Sequence, residues 1–86
     1  MERPMVKSIQ IYGTGCASCE KLYQVALTAV KEIDHEIRVE KIEDLNALLE
    51  VGVMRTPGLG FNGKLIMQGK LMTPATLKNR ISAFSE

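Results

Sequence analysis

Residues 6–20 read VKSIQIYGTGCASCE, and the change of hydrophobic period inside this stretch sets the architecture. Val6 to Tyr12 is β-branched and aromatic, with Ile9 and Ile11 on one face and Ser8 and Gln10 on the other, which predicts a strand. Gly13-Thr14-Gly15 breaks it. From Cys16 onward the apolar residues recur every three or four positions, at Cys19, Leu22, Ala26, Ala29 or Val30, and Ile33, the spacing of an amphipathic helix that opens at the cysteines.

Alternation returns over Glu36–Ile42, where Ile37 and Val39 face together, so a second strand follows the helix. Two strands joined by a helix run parallel with a right-handed crossover. Asp44 is placed to cap a short helix whose apolar face is Leu45, Leu48 and Leu49, and Gly52 to end it in a left-handed cap. Gly58–Phe61 and Lys64–Gln68 flank Asn62-Gly63, the dipeptide suited to the positive φ values of a type I′ hairpin turn. Thr73 and Pro74 supply an N-cap and a first-turn proline to a last helix with Leu77, Ile81 and Phe84 on one side. The expected order is β-α-β-α-β-β-α, one α/β domain over residues 1–86 with a four-stranded mixed sheet.

The totals narrow the function. A chain of 86 residues has room for one modest core. Eleven Lys+Arg against ten Asp+Glu leave a net charge of +1, too little field to collect nucleic acid or anionic lipid. No apolar run reaches signal-peptide or membrane-span length, so a cytoplasmic monomer is the expectation, with no membrane and no nucleic-acid partner. Two cysteines cannot build the multi-bridge framework of a small secreted domain.

Placing Cys16 at a helix start and Cys19 three residues later has two consequences. Residues i and i+3 lie on one helix face about 5–6 Å apart, within the Cα separation a disulfide bridges. The unpaired first-turn N–H groups favour the thiolate of Cys16, while Cys19 lies one turn deeper, so Cys16 is expected to attack and Cys19 to resolve. A closed zinc site needs four ligands, and the chain adds to its cysteines only His35, at the far end of the helix; no metal or cofactor is expected. Cysteines acting as small core hydrophobes remain the bland alternative. Thr56-Pro57, taken alone, is no more than an X-Pro pair ahead of a strand, with trans the ordinary state.

Taken together, IYGTGCASC after a strand, GVMRTPGL, the NGK hairpin and the terminal helix resemble the thioredoxin superfamily. The closest likeness is to its small, glutaredoxin-sized, redox-active disulfide members, and it spans nearly the whole chain. The resemblance implies a thioredoxin-like three-layer sandwich and a thiol-disulfide oxidoreductase. Its partners would be disulfide-containing proteins and a reductase. Cys16 would be the nucleophile, Cys19 the resolving residue, and Pro57 a cis-proline facing the disulfide. Thr56 would offer its backbone to an extended substrate segment, and Arg55 and Tyr12 could flank that groove. The chain departs from ordinary thioredoxin at Ala17-Ser18, where Gly-Pro is usual, at Gly15, where tryptophan is usual, and in lacking a match for the buried acid of the central strand.

Two other readings stay open. The loop Gly13-Thr14-Gly15-Cys16-Ala17-Ser18-Cys19 also resembles that of heavy-metal-associated domains, which carry Cu(I) on two thiolates. That family implies a β-α-β-β-α-β order ending in a strand, against the helix expected here. A redox-inert binding or sensor domain could use the same fold. Gly58 and Gly60 around the third strand point to a bulge or a close backbone approach.

Overall fold

The computed structural model describes residues 5–13, 17–33 and 36–84. Its elements are β1 (Ser8–Tyr12), α1 (Ala17–Ile33), β2 (Arg38–Ile42), α2 (Leu45–Val51), β3 (Gly58–Phe61), β4 (Lys64–Gln68) and α3 (Pro74–Ala83). The strands form one mixed sheet in the order β2-β1-β3-β4, with β1 parallel to β2 and antiparallel to β3, and β3 antiparallel to β4. This is the expected element order and a thioredoxin-like α/β fold.

Alternation along β1 divides the interior. Ile9 and Ile11 join Leu22, Ala26, Ala29 and Val30 of α1, Leu59 and Phe61 of β3, and Leu77 and Ile81 of α3 in the main core. Tyr12, one residue further along, points to the opposite face and packs with Leu48 and Val53 in a smaller cluster beneath α2. Gln10 shares that second face and is buried, which requires partners: its Nε2 donates to Ser8 Oγ at 2.9 Å, and its Oε1 accepts from Gly63 N at 2.8 Å. Among the described residues no buried side-chain nitrogen or oxygen lacks a partner.

Local chemistry sets the boundaries. Asp44 accepts from Asn46 N at the start of α2, and Gly52 ends it at φ 84°, ψ 26°, a conformation that suits glycine. Thr73 accepts from Thr76 N ahead of Pro74 in α3. Asn62 and Gly63 both have positive φ, 54° and 85°, as a type I′ turn demands. Asn62 does more than turn the chain: its Oδ1 accepts from Lys7 N at 2.7 Å and Ser8 N at 3.2 Å, and its Nδ2 donates to Met5 O at 3.0 Å. The segment preceding β1 is therefore held by a side chain and does not extend the strand back to Val6.

One expectation about the second helix is corrected. Leu45 and Leu49 are each 66% exposed, and Leu48 alone of the three leucines is buried. A helix of seven residues touches the sheet along one narrow line. Leu48 takes that line, and Leu45 and Leu49 fall to its sides. The helix start at Cys16 and the placement of His35 lie outside the described residues. Among the described residues, no helix is long and apolar enough to cross a membrane.

Candidate active site

β1 and β2 end at one rim of the sheet, where Gly13 N donates to Ile42 O at 3.0 Å. α1 leaves this rim and buries Cys19 in its first turn, at 5% exposure. Cys19 is disulfide-bonded. Cys16, the expected attacking residue, lies outside the described residues. A Cβ built on Gly13 would stand 2.3 Å from Cys19 Sγ and 3.4 Å from Thr56 Cβ. The bare backbone at Gly13 is thus where Cys19 and Thr56 converge, from segments far apart in the chain.

The Thr56–Pro57 peptide bond is cis. Pro57 is buried and Thr56 is exposed, so Thr56 lies at the surface on the side of Gly13 where Cys19 is seated. Four contacts hold the segment that carries them. Val53 N donates to Leu48 O at 2.9 Å at its start, and Gly69 N donates to Pro57 O at 2.8 Å at its end. Between these, Gln68 Oε1 accepts from Met54 N at 2.6 Å and Arg55 N at 3.0 Å. The aliphatic part of Arg55 lies over Gly69, where an added Cβ would meet Arg55 Cβ at 3.1 Å.

Gln68 was not among the residues the sequence singled out. A glutamine at a strand end carries no pattern of its own, and its role depends on a pairing with a loop more than ten residues away. Its test is direct: Gln68→Ala should cost about 1 kcal/mol, the net worth of a lost hydrogen-bond acceptor, read as a lower urea midpoint. Gln68→Glu keeps an acceptor oxygen and should recover most of that loss. Equal losses in both variants would mean that the amide acts otherwise.

Tyr12 and Arg55 separate in role. Tyr12 is 3% exposed and belongs to the core beneath α2, so it does not flank an open groove. Burial raises its phenol pKa above the usual value, and the Glu40 carboxylate adds to the shift. Arg55 remains exposed. Just past Cys19, Glu20 pairs with Lys41, whose ammonium also sits 4.9 Å over the Tyr23 ring. The hydrogen bond to Glu20 raises the Lys41 pKa. An apolar hollow of about 500 Å³ adjoins this turn, bounded by Val25 of α1, by Leu71 and Met72 ahead of α3, and by Pro74 at its start. Among the described residues, no three His, Cys, Asp or Glu side chains gather as a metal centre would need.

The family model of the thioredoxin domain matches residues 7–82, which span every strand and nearly every helical residue described above. The chain belongs to the thioredoxin family. Two relatives bear the name thioredoxin. That of Methanothermobacter thermautotrophicus is 40% identical over 74 residues, covering 86% of this chain and 96% of the relative. That of Methanocaldococcus jannaschii is 33% identical over 86 residues, covering 100% of this chain and 98% of the relative. Coverage of 96% and 98% of the relatives makes them small proteins of about this chain's length. The heavy-metal-associated order is not adopted: after β4 the chain forms α3 and no further strand among the described residues.

Proposed function

We propose that this thioredoxin-family protein is a dithiol-disulfide oxidoreductase acting on protein disulfides, with Cys16 as nucleophile and Cys19 as resolving residue. The observation that carries the reading is the convergence of the Cys19 sulfur and Thr56 on the bare backbone of Gly13, within a fold shared with proteins named thioredoxin.

In the reducing direction the Cys16 thiolate attacks one sulfur of a substrate disulfide. A bond forms between Cys16 and that sulfur, the substrate S–S bond breaks, and the other substrate sulfur leaves as a thiolate that takes a proton. Cys19 then loses its proton and attacks Cys16. The protein disulfide forms and the second substrate thiol departs, so two electrons have passed from protein to substrate. A reductase returns the protein to its dithiol. Thr56 offers its backbone to the extended segment around the substrate disulfide, and Pro57 holds that backbone near Cys19. Recognition through main-chain hydrogen bonds suits many sequences, and the substrates are disulfide-containing proteins in general.

The test is anaerobic titration in glutathione redox buffers of the wild type beside Cys16→Ser and Cys19→Ser, with metal content measured on the same samples. The wild type should give one two-electron transition. Cys19→Ser should accumulate a mixed disulfide with glutathione, and Cys16→Ser should not. A wild type that binds stoichiometric Cu(I) and exchanges no disulfide would overturn the assignment and favour metal carriage.

A further inference from the structure

We propose that Gly13 is a positioning residue for the sulfur chemistry: its missing side chain makes the seat for Cys19 Sγ in the oxidised protein. The proposal rests on the oxidoreductase reading above for its functional meaning, and on contact geometry for its substance. A Cβ at Gly13 would lie 2.3 Å from Cys19 Sγ and 3.3 Å from Cys19 Cβ. The first distance is far inside any non-bonded approach of carbon to sulfur, so one of the two groups must move.

The Gly13 side has little room to yield. Gly13 directly follows β1, its N–H is bonded to Ile42 O at 3.0 Å, and Thr56 Cβ would stand 3.4 Å from the new carbon on another side. Cys19 is buried on a helix that packs through Leu22, Ala26, Ala29 and Val30 into the core, so the helix does not retreat either. The remaining freedom is rotation of Cys19 about χ1. In the dithiol that rotation exchanges one staggered well for another. In the disulfide the sulfur is tied to a second sulfur within a narrow range of geometries, and the rotation is closed to it. A side chain at Gly13 therefore burdens the oxidised form more than the reduced form. Glycine at this position lets the disulfide form where Thr56 can still reach it.

The experiment compares wild type and Gly13→Ala in two assays and adds a variant pair. Equilibration with graded dithiothreitol redox buffers reads the disulfide-dithiol constant of the protein whatever its cellular role. Gly13→Ala should shift that constant at least tenfold toward the dithiol, about 30 mV for a two-electron couple. Thermal melts of Cys19→Ala with and without Gly13→Ala give the second reading: Gly13 has φ 159°, where a side chain carries backbone strain of its own, so with the sulfur gone the cost of Gly13→Ala should fall to that residual and be clearly smaller than in the wild-type background. If Gly13→Ala fails to fold in the wild-type background, recovery of folding in the Cys19→Ala background supports the seat, and failure in both overturns it. An unchanged redox constant, or an equal melting cost with and without Cys19, also overturns it. Turnover of insulin disulfides by the wild type is measured in parallel. No turnover with an intact tenfold shift would sink the oxidoreductase reading and leave the seat standing; normal turnover with no shift would do the reverse.

Discussion

Phe61→Ala is expected to destabilise the protein by about 3–5 kcal/mol, the usual cost of emptying a buried aromatic site. Phe61 is fully buried at the end of β3, opposite Ile9 of β1, in the core shared with α1 and α3. Its ring meets that of Phe84 edge to face, with centroids 5.4 Å apart and planes at 83°, so its loss also strips the partner that anchors the end of α3. Small domains have about 5–15 kcal/mol of stability in all, and this change removes a large share. The measurement is urea unfolding followed by circular dichroism. A large fall in midpoint at constant m is the expected result. A loss below about 1 kcal/mol would mean that α3 does not depend on this ring.

Gly60→Ala is the second large effect, at about 1–3 kcal/mol, the range for overpacking a tight interior. An added Cβ would stand 2.8 Å from Tyr12 Cε2, 3.2 Å from Tyr12 Oη and 3.0 Å from the backbone oxygen of Lys64. The backbone oxygen cannot swing aside, and the ring is itself buried against Leu48 and Val53. Combining Gly60→Ala with Tyr12→Ala should cost less than the sum of the two, because the second change clears the space the first one needs. Thermal melts of the four proteins in the cycle decide it. Strict additivity would place the cost in the backbone of β3 and not in the ring above it.

Gly60 also shows how far the sequence could be read. Glycines on a strand signalled either a bulge or a close approach, and both occur: the β3–β4 register shifts between Leu59 and Gly60, and Tyr12 covers the strand there. Which ring did the covering was not legible, because it depends on the pairing of Tyr12 with Gly58 across two strands distant in sequence. Features governed by neighbours along the chain were readable in advance. The Asn62-Gly63 turn, the Asp44 and Thr73 caps and the stop at Gly52 all follow from backbone preferences of one or two residues. Leu45 and Leu49 misled because periodicity reports which residues could face a core, not how wide a face the core offers.

The candidate site divides along the same line. Cys16, Cys19, Thr56 and Pro57 stand out by residue type and by resemblance. Gly13 read only as punctuation after a strand, and Gln68 gave no signal. The closeness of Gly13 to Cys19 Sγ exists only once α1 has packed against β1, and the contact of Gln68 with the Met54 and Arg55 amides only once β3 and β4 have paired.

That assembly has a consequence for the newly made chain. Synthesis runs from the N-terminus, so both cysteines leave the ribosome well before Thr56 and the strands that carry it into place. During that interval the nascent polypeptide holds a thiol pair without the Thr56 segment that the finished fold brings to Gly13 and Cys19. Any discrimination that segment confers is acquired only when the second half of the molecule docks.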